Sequence, residues 1–264
     1  LYCNLKTYKM ANNVNKIVLV TGGSRGLGKD SALQLAKKGF DVIITYQTKK
    51  EEAENVVKEI KSLGKKGFAI QLDIATISGF ENFKNEIESI LATNFDGNKL
   101  NALVNNAGVG INSPFELTTE EALDAMTNIH FKGPYFLTQK LLPLLENGSS
   151  IVNTSSGLAR FSFAGYSAYG AMKAAIDSLS RYQALELGDR KIRVNSVAPG
   201  AIETDFGGGL VRDNTDFNQL IASQTSLGRV GLPDDIGTVV AFLCSDDSKW
   251  INAQRIEVSG GFKI

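Results

Sequence analysis

The sequence predicts a doubly wound α/β domain, one open parallel sheet of seven strands with helices on both faces. Three observations predict it. Short β-branched runs alternate strictly with longer segments of helical period. Several of those runs are almost continuously apolar, as strands covered on both faces must be. A glycine-rich turn, "TGGSRGLG" (21–28), follows the first run and opens the first helical pattern. Parallel neighbours need a crossover, and right-handed crossovers put the helices on the sheet faces.

The elements follow in order. "KIVLVTG" (16–22) is the first strand, and the helix at 26–38 starts on its glycines. "FDVIITY" (40–46) leads to a charged helical pattern at 49–63, and "GFAIQLD" (67–73) to another at 77–93. "LNALVNN" (100–106) precedes one long helix, 119–146, and "SIVNTSS" (150–156) precedes the helix at 166–188. "IRVNSVA" (192–198) is the sixth strand, and a helix at 233–244 returns the chain to "RIEVSGG" (255–261). Only "PGAIETDFGGGLVRDN" (199–214) breaks the rhythm. Long loops of this kind in compact domains are commonly functional, so a substrate lid is expected at about 203–225. Ordinary loop anchoring by Phe206, Leu210 and Val211 is the alternative.

With 264 residues, 43% hydrophobic and 21% charged, the chain has material for one packed core. Residues 16–264 are read as a single domain and 1–15 as an N-terminal extension apart from it. The 28 basic and 28 acidic residues cancel, so no broad surface suits nucleic acid or anionic lipid. Cys3 and Cys244 lie at opposite ends with no metal-like spacing, which predicts no metal site and a reducing, cytoplasmic location. The opening "LYCNLKTYKM" lacks the apolar run of a signal peptide, and no later segment has the length of a membrane span. The expected partner is a small molecule.

In the glycine turn, Gly22, Gly26 and Gly28 permit a tight bend and close backbone approach, and the helix N-terminus offers free N–H groups to a pyrophosphate. A turn that merely caps a helix is the alternative. Its place after the first strand of a βαβ unit favours a dinucleotide, with Ser24, Arg25 and Leu27 of the turn and Tyr46 at the second strand tip as further contacts. NAD sites carry an acid at that tip, but this strand ends "ITYQTKK". Arg25, Lys49 and Lys50 supply cations instead, so NADP(H) is expected over NAD(H), unless these are ordinary solvated charges.

"YSAYGAMKAA" (166–175) places two tyrosines and a lysine on one helix. Tyr169 and Lys173, four apart, stack on one face. Tyr166 is two turns from the lysine, about 10.5 Å of rise. A neighbouring ammonium can lower the ordinary phenol pKa of about 10 by roughly one to three, towards proton exchange at neutral pH. A half-exposed pair without a role is the alternative. Ser155 and Ser156, at the C-terminal tip of the fifth strand, lie where such sheets bind ligands.

Taken together, "TGGSRGLG" (21–28), "NNAG" (105–108), "YGAMK" (169–173) and "PGAIETD" (199–205) resemble, in order, the pattern of the short-chain dehydrogenase/reductase family, over nearly the whole domain from Lys16 onward. The resemblance implies a Rossmann fold with Tyr169 as general acid/base. It implies that Lys173 holds the nicotinamide ribose while lowering the phenol pKa, and that the serine 13 positions before the tyrosine, Ser156, is catalytic. It places Asp73 and Ile74 beside the adenine and Asn106, Ala107 and Gly108 along the cofactor. Pro199, Gly200, Ile202 and Thr204 fall at the nicotinamide end.

The family commonly carries a further asparagine three before a glycine. Here "TNIHFKGPYFLTQ" puts His130, the only histidine, at that position relative to Gly133, with Asn128 two earlier. The downstream register favours His130 in the slot, and a local irregularity returning Asn128 to it is the alternative. His130 could relay protons, replace only a structural hydrogen bond, or be a satisfied buried histidine. The resemblance implies reversible hydride transfer between NADP(H) and a carbonyl or alcohol substrate. A 3-oxoacyl-[acyl-carrier-protein] reductase is the nearest alternative, and a non-catalytic dinucleotide-binding regulator a further one. The helices at 119–146 and 166–188, apolar on more than one face, imply a homotetramer or homodimer by the same resemblance.

Overall fold

The structure is a computed structural model that describes residues 16–264. The proposed extension at 1–15, with Cys3, lies outside the described residues. Seven parallel strands form one sheet in the order β3-β2-β1-β4-β5-β6-β7. They are β1 (Ile17–Val20), β2 (Asp41–Tyr46), β3 (Gly67–Gln71), β4 (Leu100–Asn105), β5 (Leu145–Thr154), β6 (Arg193–Pro199) and β7 (Arg255–Val258). The chain winds outward from β1 to one edge, then returns to β4 and winds to the other. That reversal between β1 and β4 opens a crevice beyond the strands' carboxyl ends.

Alternation along β1 sends Ile17 and Leu19 to one face and Val18 and Val20 to the other. The first pair joins a core with Phe80, Phe83, Ile87 and Leu91 of α3 (Phe80–Asn94) and Leu137 and Leu141 of the later α5 (Gly133–Leu141). The second pair joins a core with Leu35 of α1 (Gly26–Lys37), Val56 and Ile60 of α2 (Lys50–Ser62), and Ile236 and Val240 of α9 (Pro233–Cys244). Both faces are dry, which is why the strands read as unbroken apolar runs. No helix among the described residues is long and apolar enough to cross a membrane.

The expected helix at 119–146 is three pieces rather than one. α4 (Glu120–Thr127) passes into a π-helical turn, Asn128–Lys132, before α5 begins. Pro134 lacks the N–H that would donate to the carbonyl of His130, so a regular ladder cannot cross this point. Gly133 lets the widened turn approach another loop, since a Cβ there would stand 2.5 Å from the carbonyl oxygen of Ile74. After α5 a short 3-10 turn leads directly into β5, which starts at Leu145 and not near 150. Leu145 pairs with Leu100, the register then shifts, and pairing resumes at Ser150 with Ala102. Exposed Glu146, Asn147 and Gly148 bulge out between, which hid the strand's start.

The non-periodic stretch also holds unexpected structure. Gly207, Gly208 and Gly209 take φ of 62°, 75° and 79° in succession, a left-handed run that strongly favours glycine. α7 (Leu210–Asp213) and α8 (Thr215–Ser223) follow, the latter capped by Asn214, whose side chain accepts from Phe217 N at 2.9 Å. α6 (Ser167–Glu186) packs beside β5 and β6 and carries the tyrosine and lysine.

Candidate active site

A cavity of about 540 Å³ lies along the carboxyl ends of the strands. Every candidate cofactor and catalytic position named from the sequence lines it, from Gly22 in the first turn to Thr204 after β6. Lys49 lines it too, whereas Lys50 faces away beside Glu54.

The first wall is two interlocked loops. Thr21 Oγ1 accepts from the backbone N–H of Asn106 (2.9 Å) and Ala107 (3.0 Å), and the Asn106 amide donates to Thr21 O at 3.0 Å. This tightness accounts for two glycines. A Cβ on Gly22 would sit 2.9 Å from Ala107 Cα, and one on Gly28 would sit 2.1 Å from Gly22 O. Arg25 precedes α1 without a side-chain cap, and no acid occupies the first helical turn. The opening N–H groups and positive helix end thus suit a pyrophosphate. The residues fit a dinucleotide here, held by the turn and by the loop after β4.

At the tip of β2 no carboxylate faces the cavity. Asp73, after β3, is already engaged, accepting from Gln47 Nε2, Ala75 N and the Thr76 hydroxyl at 2.9–3.2 Å. Arg25 has one loose ion pair, 3.7 Å from Asp205 across the cavity.

The catalytic candidates converge beyond the end of β5. Lys173 Nζ donates to Thr154 O at 2.7 Å and lies 5.5 Å from the Tyr169 ring centre. The Ser155 hydroxyl donates to the Lys173 carbonyl at 3.3 Å, which anchors the helix to the end of β5. Ser156 lines the cavity beside Tyr169 and acts to lower its pKa, while the serine hydroxyl accepts from Leu158 N at 3.2 Å. Tyr166 packs edge-on to Tyr169 at 6.4 Å between ring centres, one step farther from the lysine.

Spacing and the family resemblance both predict that Lys173 acidifies Tyr169, and the structure differs. Burial instead pushes the phenol above its ordinary value, only partly offset by Ser156. The ammonium hangs from a backbone carbonyl beside the ring rather than at the hydroxyl. Burial also lowers Lys173 to about 8, against the opposing charge of Asp177. The pair is dry, and dryness outweighs proximity.

His130 is fully buried in the π turn. Its Nε2 lies 2.7 Å from the carbonyl of Val109, and because a carbonyl only accepts, Nε2 carries the proton. Burial, reinforced by the charge of Lys173, drives its pKa to about 3, so the ring is neutral. Gly108 leaves it room, since a Cβ there would stand 2.7 Å from the ring. The irregularity considered from the sequence is present, yet it keeps His130 on the cavity and Asn128 off it.

Of the aromatic far end of the cavity, the sequence points only to Phe206, as a lid residue. Phe161, Phe163, Tyr166, Phe206, Phe217 and Phe262 line it beyond Tyr169. Phe163 meets Tyr166 and Phe217 edge-on at 6.2 Å, and Phe206 lies 5.6 Å from Tyr169. These rings come from three separate segments, so no local spacing announces them.

Known proteins are similar to this chain in sequence and in fold. Residues 22–263 match the family described as Enoyl-(Acyl carrier protein) reductase. The chain is 35% identical over 257 residues to the hydroxynaphthalene reductase-like protein Arp2 of Metarhizium majus (strain ARSEF 297), covering 93% of this chain and 94% of that protein. It is 37% identical over 250 residues to the 3-oxoacyl-[acyl-carrier-protein] reductase FabG of Staphylococcus aureus (strain Mu50 / ATCC 700699), covering 94% and 98%. The crystal structure of the landomycin C-6 ketoreductase LanV with bound NADP and rabelomycin superposes with a TM-score of 0.85 at 33% identity, covering 94% of this chain and 97% of LanV. With its motifs in order on one cavity and its likeness running nearly end to end, the chain belongs to the short-chain dehydrogenase/reductase family and is an oxidoreductase acting between carbonyl and alcohol.

Proposed function

We propose that the protein is an NADP(H)-dependent reductase of a flat, uncharged aromatic ketone. The observation that carries this reading is the cavity itself. A phosphate-suited turn closes one end, aromatic rings line the other, and Ser156, Tyr169 and Lys173 meet between them. Aromatic walls grip planar rings by edge and face contacts. LanV, crystallised with NADP and rabelomycin, and the hydroxynaphthalene reductase-like Arp2 support the substrate class.

The dinucleotide, when bound, supplies a hydride and in its oxidised form a positive charge. The turn from Gly22 to Gly28 and the loop from Asn106 to Gly108 hold its phosphates and spine. Asp73 and Ile74 flank the adenine, and Pro199, Gly200, Ile202 and Thr204 the nicotinamide end. Arg25 and Lys49, with no carboxylate at Tyr46, favour a 2′-phosphate. Lys173 spends one N–H on Thr154 O and keeps two for the ribose hydroxyls.

Ser156 donates to the substrate carbonyl oxygen, and Tyr169 gives its proton to that oxygen as it gains charge. The raised phenol pKa keeps Tyr169 protonated at neutral pH, the state that ketone reduction needs. Neutral His130 relays no proton. It pins Val109 and thereby the cavity wall, a structural replacement for the asparagine.

Residues 203–225 form the lid of this reading, supported by Phe206, Leu210, Val211 and Phe217 on the cavity. A homotetramer or homodimer is also part of it, supported by Tyr182 and Leu185 of α6, which are 62% and 77% exposed. Light scattering after size exclusion would return a monomer if that is wrong. Cytoplasmic residence completes the proposal, and Cys244, a buried free thiol, accords with it. The FabG likeness supports a second reading, a 3-oxoacyl thioester substrate. Oxidation of NADPH and NADH followed at 340 nm with aromatic ketones, aliphatic ketones and a 3-oxoacyl thioester separates the two. Fastest turnover of the thioester would overturn the aromatic reading.

A further inference from the structure

Arg255 of β7 lies off the cavity, and nothing in its sequence surroundings marks it. Its guanidinium nevertheless has all three nitrogens committed. Nε donates to Asp177 Oδ2 at 2.9 Å, one terminal nitrogen to Glu257 Oε2 at 2.9 Å, and the other to the backbone carbonyl of Ser156 at 3.0 Å. Its partners are fixed in turn. Asp177, nearly buried on α6 one helical turn beyond Lys173, accepts the Ser196 hydroxyl at 2.8 Å from β6. Glu257 receives two N–H groups of Arg160 at 2.8 and 2.9 Å.

The sheet cannot do this work. The pairing of β5 with β6 ends at Thr154, and its last rung is Ser155 N to Val197 O at 2.7 Å. Ser156 stands one residue past the ladder, its carbonyl shared between Arg255 and the Ala159 N–H of the following short turn, which donates at 3.1 Å. Arg255 holds the serine's own carbonyl, and the second guanidinium, Arg160, holds the other end of the same short turn. Arg160 also donates to the carbonyls of Phe262 and Lys263, which ties in an aromatic wall of the cavity.

A half-buried ion pair kept for stability alone is a poor bargain, because an apolar replacement is often as stable. A planar fork that spans a helix carboxylate, a strand carboxylate and one backbone carbonyl is a device for geometry. We propose that Arg255 is a positioning residue, braced by Asp177 and Glu257, that sets the reach of Ser156 towards Tyr169 and the substrate carbonyl. This rests on Ser156 having the catalytic role given above.

The test is a double-mutant cycle read in single turnovers at high enzyme concentration, with NADPH oxidation at 340 nm. Arg255→Met should slow the step by about tenfold to a hundredfold, as a misplaced catalytic group does. NADPH affinity, read from nucleotide fluorescence, should stay within about twofold, since the brace acts through Ser156 rather than on the cofactor turn. In a Ser156→Ala background the same substitution should change the rate by less than about twofold, because the group it positions is gone. Equal slowing in both backgrounds overturns the brace and leaves the site reading intact. Ser156→Ala with wild-type turnover overturns the site reading, and the brace falls with it. Should Arg255→Met fail to fold, Arg255→Lys keeps the charge but cannot span three partners. It should show the same loss, and full rate in that variant overturns the proposal.

Discussion

His130 stands edge-on to Tyr169, ring centres 5.0 Å apart and planes at 87°, while its Nε2–H reaches the Val109 carbonyl. One imidazole therefore supports both the candidate acid and the loop that walls the cavity. Replacing it with alanine should cost about 2–4 kcal/mol of stability through the lost packing and the orphaned carbonyl. Turnover should fall with it, but the pH profile of the remaining activity should keep its shape, because a neutral ring contributes no titration. Urea unfolding and rate measurements at several pH values check both.

The same residue makes stability depend on pH. Its pKa is about 3 in the folded protein against an ordinary 6.5, so between those values the unfolded chain takes up the extra proton. Stability is then complete above about 6.5 and falls as pH drops, by up to about 1.4 kcal/mol per pH unit. His130→Asn should flatten that slope when unfolding is measured at pH 7, 6 and 5. An unchanged slope would place the acid sensitivity elsewhere.

Tyr169→Phe removes the proton donor and keeps the ring packed between His130 and Phe206. Ketone reduction should drop by about 10²–10⁴. The dissociation constant for NADPH should stay within a few-fold, measured by fluorescence.

Arg25→Ala should raise KM for NADPH by about tenfold to a hundredfold, the usual worth of a hydrogen bond to a charged group. KM for NADH should hardly move, since its ribose bears no 2′-phosphate. Parallel loss with both nucleotides would assign Arg25 to the turn's architecture instead.

Gly28→Ala drives a methyl group into Gly22 O and the Asn106 amide, both backbone-anchored. Overpacking of this kind costs about 1–3 kcal/mol or more. The first sign should be lost cofactor affinity, since the turn and the loop after β4 must part, and calorimetric titration with NADPH would show it.

The alternation of strands and helices was legible because both sheet faces are buried, which makes each strand a solid apolar word. The site motifs were legible because their chemistry sits in short local spacings, such as Tyr169 to Lys173. What could not be read there depends on distant partners. The broken helix combines Pro134 with a loop at Ile74 that only folding brings near. The phenol's raised pKa comes from burial, which spacing does not encode. The aromatic wall gathers Phe161, Phe217 and Phe262 from three segments, and Arg255 meets Asp177 across 78 positions of chain.

Thr21 and Asn106 stitch the turn after β1 to the loop after β4, and these are also the loops offered to a dinucleotide. Strands β3-β2-β1 on one flank and β4 to β7 on the other thus share a seam with the ligand. A guest in that seam acts as mortar, tightening the joint between two half-sheets as it settles. Heat resistance should then climb with nucleotide concentration by the logarithm of site occupancy, so a melting curve alone can rank NADPH against NADH without any substrate in the tube.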